Sequence, residues 1–266
     1  MNNFRFIIEE DLQKIENNIS NLIPKDNEIL KDLELFIAEK SKRIRSIITL
    51  LYLKLNNVQT NDNIINLLFA GELIHNASLL HDDVIDDADF RRGTLTLSNK
   101  YNPKISILSG DYLLSFAVYY INQLNNKDIL KNFIYTTRMM SEAEIFQYIH
   151  RNKDVSLDEY LNIIYGKTAS LFECLLKSAA ILSNINSECA SEFGRIFGLL
   201  FQINNDMSSG SKENDKKNGV KTITDILGIE KTNALKDNYK EKLRAFIIEC
   251  PYNKYKQGLE DLINLL

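Results

Sequence analysis

The sequence predicts an all-α fold, and three of its features do so. Apolar residues recur at a spacing near 3.6 through almost the whole chain, as in helices with one buried face. Only three prolines and ten glycines interrupt 266 residues, which leaves long segments unbroken. No alternation of apolar and polar residues reaches the length of a useful strand. With 44% hydrophobic residues the chain can bury a sizeable core. No internal repeat or low-complexity linker divides it, so residues 1–266 are expected to form a single domain.

Taken in order, residues 47–53 read as a buried helix. A longer one follows from Ile64, where Ile64, Leu67, Leu68, Gly71, Ile74, Ser78 and Leu79 keep three- and four-residue spacing. Residues 108–121, 171–182 and 193–203 read as three more buried or half-buried helices. Residues 208–217 are the most polar stretch and read as a loop or frayed helix, a candidate lid.

Several classes are set aside at once. The N-terminus turns acidic soon after Phe6 and has no apolar core with a cleavage site. No apolar run is long enough to cross a bilayer. Cys174, Cys189 and Cys250 are an odd, scattered set, as expected of reduced thiols in a cytoplasmic protein. A net charge of -4, with no basic stripe, gives no reason to expect nucleic acid.

The helix from Ile64 runs into the most informative segment, residues 81–95. Asp82, Asp83, Asp86, Asp87 and Asp89 put five carboxylates within eight positions, and Arg91 and Arg92 follow. On a helix Asp82 and Asp86 share a face, with Asp83 beside them, and like charges so spaced repel. Such a cluster calls for a cation. Carboxylates without Cys or clustered His suit a hard ion, and Mg2+ is commonly held by one or two carboxylates plus substrate phosphates. The guanidinium fork bonds phosphate oxygens in pairs, so the arginines point to a diphosphate. His75, seven residues before Asp82, projects on roughly the same face.

Residues 74–86 with Arg91-Arg92-Gly93 look like a first aspartate-rich motif, DDxxD. Lys42-Arg43-Ile44-Arg45 resembles a GGKRLRP segment that has lost both glycines and the proline. Gly110-Asp111-Tyr112-Leu113 resembles GDYL, residues 142–147 resemble GExxQ, and residues 167–172 resemble KTAxLF. Phe201-Gln202 stands where FQ precedes a second aspartate motif. In this order the segments resemble the trans-isoprenyl diphosphate (polyprenyl) synthases over residues 38–224, most like those making octaprenyl and other medium-to-long chains.

The resemblance implies a single-domain antiparallel helical bundle of the isoprenoid synthase type, with a central active-site cavity. It implies Mg2+, three ions with substrate bound, on Asp82 and Asp86 and on Asn205, Asp206 and Ser209. Asp82, Asp83, Asp86, Arg91 and Lys167 would be catalytic, Arg91 and Lys167 stabilising pyrophosphate as it leaves an allylic diphosphate. Lys42, Arg45, His75 and Arg92 would hold isopentenyl diphosphate, and Thr168 and Gln202 would also bind substrate. The chain would act as a homodimer, and its product could pass to a membrane enzyme.

The second motif departs from the family pattern. Asn205-Asp206-Met207-Ser208-Ser209 replaces two of three expected carboxylates with neutral oxygens. Asn205, Ser209 and Glu213 also fit NDxxSxxxE, the second metal motif of class I terpene cyclases. Three functions are therefore weighed: chain elongation, cyclisation, and a non-catalytic subunit of a heteromeric synthase. Elongation is favoured, because the residues for a second diphosphate and the whole first motif are kept.

Product length is expected from one helix. In the family the residue five before the first aspartate points down the tunnel; here it is Ala77, beside Ser78, and neither is bulky. Leu73 and Ile74 lie one turn deeper. The expected product is medium to long, about octaprenyl by family analogy, for quinone side chains.

Overall fold

The computed structural model describes residues 3–24, 26–38, 42–208 and 218–266. Its helices are α1 (Asn3–Phe6), α2 (Glu9–Leu22), α3 (Glu28–Ala38), α4 (Ile44–Leu55), α5 (Asp62–Ile85), α6 (Leu97–Lys100), α7 (Pro103–Gln123), α8 (Lys127–Ile149), α9 (Leu157–Ile164), α10 (Ser170–Leu182), α11 (Ser187–Asp206), α12 (Ile223–Leu227), α13 (Ile229–Ile247) and α14 (Lys254–Leu265). A π-helical turn, Tyr165–Ala169, joins α9 to α10, and two strands, β1 (Phe90–Arg91) and β2 (Thr94–Leu95), lie between α5 and α6. The all-α expectation holds.

Each expected helix is present and extends past its apolar stretch, and polar residues cap the starts of α5, α7 and α11. Asn102 precedes Pro103 at the start of α7 and accepts from the Ile105 N–H. Asn186 accepts from the Glu188 and Cys189 N–H groups at the start of α11. The hairpin was not expected. It has two residues a side, and Arg92 and Gly93 form its turn with φ of 54° and 87°, as a I′ turn requires. Of the polar stretch, residues 209–217 lie outside those described.

The chain groups into two compact units, and one of the four crossings between them falls within α4. One holds residues 8–50 and 59–127. Its centre is α5, whose side chains from Ile64 to Ile74 are buried around the whole helix; a helix apolar on all sides belongs in a core. The ring of His81 lies over Gly110, and Phe69 meets Tyr120 edge to face with centroids 4.9 Å apart. α5 and α7 therefore run antiparallel, and Gly110 lets them approach closely.

The other unit holds residues 1–7, 51–58 and 128–266. Here α10 and α11 pack through small residues. A Cβ on Gly198 would lie 2.5 Å from the Ala169 Cα, inside the π-helical turn. Tyr160, Ile164, Ala169, Leu199, Ile203 and Ile223 form a buried cluster joining α9, that turn, α11 and α12. Gly198→Ala should cost about 1–3 kcal/mol through overpacking against backbone, read as a lower Tm. An unchanged Tm would show that the turn yields freely.

Candidate active site

α5 delivers its acidic residues at its C-terminal end. Asp86 caps the helix, and its backbone N–H donates to the Asp82 carbonyl. Asp82 and Asp86 are half-buried, whereas Asp83 is fully buried. A helix C-terminus carries partial negative charge, so carboxylates there are disfavoured unless a cation offsets them. Asp83 is offset within the chain: its Oδ1 accepts from Arg91 Nε at 2.5 Å. Its Oδ2 has no hydrogen-bond partner among the described residues. Burial pushes the Asp83 carboxyl up, and Arg91 pulls it back.

Asp83 therefore faces away from the solvent, and its role differs from that expected of a catalytic carboxylate. It anchors Arg91. With Nε engaged, the two Nη groups of Arg91 are the fork left to meet a phosphate. The hairpin sets this geometry: Arg91 pairs with Thr94, and Thr96 Oγ1 donates to the Ala88 carbonyl at 2.7 Å.

In the same unit a second group gathers positive charge. Arg43 and Arg45 are buried, Arg92 and His75 are half-buried, and Lys42 is exposed. Burial pushes the Arg45 guanidinium down to about 10, with Glu72 opposing and Arg92 reinforcing the shift. Arg92 is lowered by burial and then by Arg91 and Arg43. Burial, then Arg45 and Arg92, hold the His75 imidazole well below its usual 6.5. Guanidinium groups gathered against one another make a site for a multiply charged anion.

His75 carries a pH signature. The unfolded chain takes up a proton at this histidine near pH 6.5, and the folded chain does not. Stability is therefore full above pH 6.5 and declines as pH falls, by at most about 1.4 kcal/mol per pH unit. His75→Gln should flatten the fall in Tm between about pH 7 and pH 5. A slope that persists would show that His75 is not held neutral.

The other unit carries Lys167 and Thr168 on the π-helical turn. There the Ser170 N–H donates to the Tyr165 carbonyl, five residues back; such turns often mark functional positions. Lys167 Nζ bonds Gln147 Oε1 and pairs with Glu144. Thr168 Oγ1 donates to Gln202 Oε1 at 2.9 Å, and Gln202 Nε2 donates to Asp206 Oδ1 at 2.7 Å. Tyr160 donates to Asp206 Oδ2 at 2.5 Å.

Asp206, expected as a metal ligand, is thus buried with both oxygens bonded, and burial pushes its carboxyl up. Its geometry is that of a structural carboxylate tying α9 to α11. Asn205 is half-buried at the end of α11, and Ser209 and Glu213 lie outside the described residues. Glu144 and Tyr160, which bond the expected site residues Lys167 and Asp206, and the Arg43–Glu72 pair were not expected from the sequence. A charge inside an apolar run was the available signal for Glu72.

The residues expected to set product length lie on α5. Ala77 and Leu73 are fully enclosed and Ile74 is 3% exposed. Ser78 is the half-buried neighbour, its hydroxyl donating to the His75 carbonyl at 2.9 Å.

The carboxylate pair suits Mg2+ in one respect and limits it in another. Asp82 and Asp86 offer hard oxygen ligands at a helix end that favours a cation. Among the described residues no three His, Cys, Asp or Glu side chains gather as a metal site. An ion here must complete its shell from phosphate and water, as Mg2+ commonly does.

The helical fold of the chain is that of the isoprenoid synthases. The polyprenyl synthetase family profile matches residues 26–246, and the chain belongs to that family. It is 35% identical over 220 residues to decaprenyl-diphosphate synthase of Dictyostelium discoideum, covering 76% of this chain and 48% of that protein. It is 32% identical over 206 residues to octaprenyl diphosphate synthase of Haemophilus influenzae, covering 76% and 62%. The chain thus spans less than two thirds of the length of these two relatives. A polyprenyl synthase from Caulobacter crescentus, solved with calcium and isoprenyl diphosphate, superposes with a TM-score of 0.88. It is 25% identical, and the match covers 98% of this chain and 95% of that one.

Proposed function

We propose that residues 1–266 act as one Mg2+-dependent trans-prenyltransferase that joins isopentenyl diphosphate to an allylic diphosphate such as farnesyl diphosphate. The observation that carries this reading is the pairing, within one unit, of a half-buried Asp82/Asp86 helix end with the Arg45, Arg92 and His75 cluster. The first suits a metal-bridged diphosphate and the second a diphosphate held by side chains alone.

Asp82 and Asp86 would hold Mg2+. Bound there, the ion supplies positive charge to the departing diphosphate. Arg91, fixed by Asp83, offers its Nη groups to the allylic diphosphate, and Lys167 is assigned to the same role by the family resemblance. Lys42, Arg45, His75 and Arg92 hold isopentenyl diphosphate. The allylic C–O bond breaks, a new carbon–carbon bond forms to isopentenyl diphosphate, and pyrophosphate takes the proton lost. The apolar surround of α5 keeps out water that would quench the cation.

Pyrophosphate release should need both diphosphates and Mg2+, and stop with a chelator. Release with either diphosphate alone would overturn the reading.

The product is assigned as medium to long, about octaprenyl by family analogy, for quinone side chains made in the cytoplasm. With Ala77 enclosed, Ser78 is the position where added bulk meets a growing chain. Ser78→Tyr should shorten the product while sparing the first condensation, read by chromatography of the products. An unshortened product would place the path elsewhere. A second copy of the chain is the expected partner, and Leu108, Val118 and Tyr119 of α7, 63%, 57% and 56% exposed, offer it an apolar face.

No helix among the described residues is long and apolar enough to cross a membrane. Delivery of a long product to a membrane enzyme is therefore proposed as a transient contact.

A further inference from the structure

We propose that Glu72 is a positioning residue that sets the isopentenyl diphosphate pocket, an inference that rests on the function proposed above. Glu72 sits on α5, 1% exposed, one turn before His75. Its two oxygens are both used. Oε2 accepts from Arg43 Nη1 at 3.2 Å, and Oε1 accepts from Ser46 Oγ at 2.7 Å. Arg43 and Ser46 flank Arg45 in sequence. One carboxylate therefore clamps the chain on both sides of Arg45 and fixes it to the helix that carries His75.

Arg43 makes the clamp rigid. Its guanidinium is fully buried, Nε and Nη2 each bond Glu16 at 2.9 Å, and Nη2 also donates to the Ile37 carbonyl at 2.9 Å. Its backbone is left-handed, with φ of 49°; a long side chain keeps that conformation only where its surroundings impose it. The network joins α2, the end of α3, the start of α4 and α5. Glu16, Arg43, Ser46 and Glu72 have no assigned contact with substrate; they surround Arg45, which does.

Glu72 also acts through charge, since its field reaches Arg43, Arg45 and Arg92. The two roles predict opposite outcomes. A carboxylate that merely offsets the arginines would, once neutralised, leave the pocket more positive and tighten diphosphate binding. A carboxylate that positions Arg45 would, once neutralised, loosen it. Glu72→Gln separates them, because its amide loses the charge-assisted bond to Arg43 and can meet Ser46 only through a reversed N–H···O bond, so both arms of the clamp weaken.

The test measures KM for each substrate and kcat, with the dissociation constant of isopentenyl diphosphate by calorimetry without Mg2+. Glu72→Gln should raise KM and the dissociation constant for isopentenyl diphosphate about tenfold or more. Its kcat and its KM for farnesyl diphosphate should stay within about twofold. Ser46→Ala, which removes one arm of the clamp, should give a smaller rise in the same two constants and carries the test if Glu72→Gln does not fold. Unchanged or tighter binding of isopentenyl diphosphate would overturn the inference, as would equal loss in every constant. A wild-type chain that binds no isopentenyl diphosphate would instead sink the proposed function.

Discussion

Asp82→Ala and Asp86→Ala should each lower turnover at least about a thousandfold while Tm stays level or rises slightly. Both side chains are half-buried at the C-terminal end of α5, so truncation opens no core cavity. Each change also removes a negative charge from the negative end of a helix dipole, worth about 0.3–1 kcal/mol at an exposed site. Lost activity with unharmed stability is the mark of residues kept for function. Steady-state rates beside thermal melts check it. Turnover that survives either change would remove the metal from the account.

Arg43→Met should be the most damaging single change to stability, at about 3–5 kcal/mol. Methionine fills much of the space but leaves Glu72 as a buried carboxylate bonded only by Ser46, and Glu16 loses its bidentate partner. Burying an unpaired charge is the expensive part. The double change Arg43→Met with Glu72→Met should recover part of the loss, because replacing a buried pair by apolar groups can be close to neutral. Denaturant unfolding of the two variants measures the difference. Equal losses would show that the charges are not coupled.

Much of the fold is legible in the sequence, and so is the acidic helix end on which the candidate site is built, for local reasons. The helices follow from apolar spacing, and the acidic cluster is contiguous, so its crowding of like charge is visible without a structure. The rest depends on distant partners. Arg43 and Glu72 are 29 residues apart, and Tyr160 and Asp206 are 46 apart. Gln202 lies one turn from Asp206, but nothing near Asp206 in the sequence reveals that Tyr160 takes its other oxygen, so it reads as a ligand until the fold is seen. The enclosure of Ala77 is hidden for a different reason. Much of α5 is buried on all sides, and periodicity then cannot say which side borders open space. The hairpin is too short to show an alternating pattern, and the left-handed Arg92 gives no warning from residue type.

The central claim is that this chain lengthens an allylic diphosphate by adding isopentenyl units. The most direct measurement incubates it with labelled isopentenyl diphosphate, farnesyl diphosphate and Mg2+ and resolves the products by length. The account predicts a ladder of labelled polyprenyl diphosphates ending near about seven or eight isoprene units. Label that stays in isopentenyl diphosphate, with farnesyl diphosphate alone converted to a cyclic hydrocarbon, would contradict it.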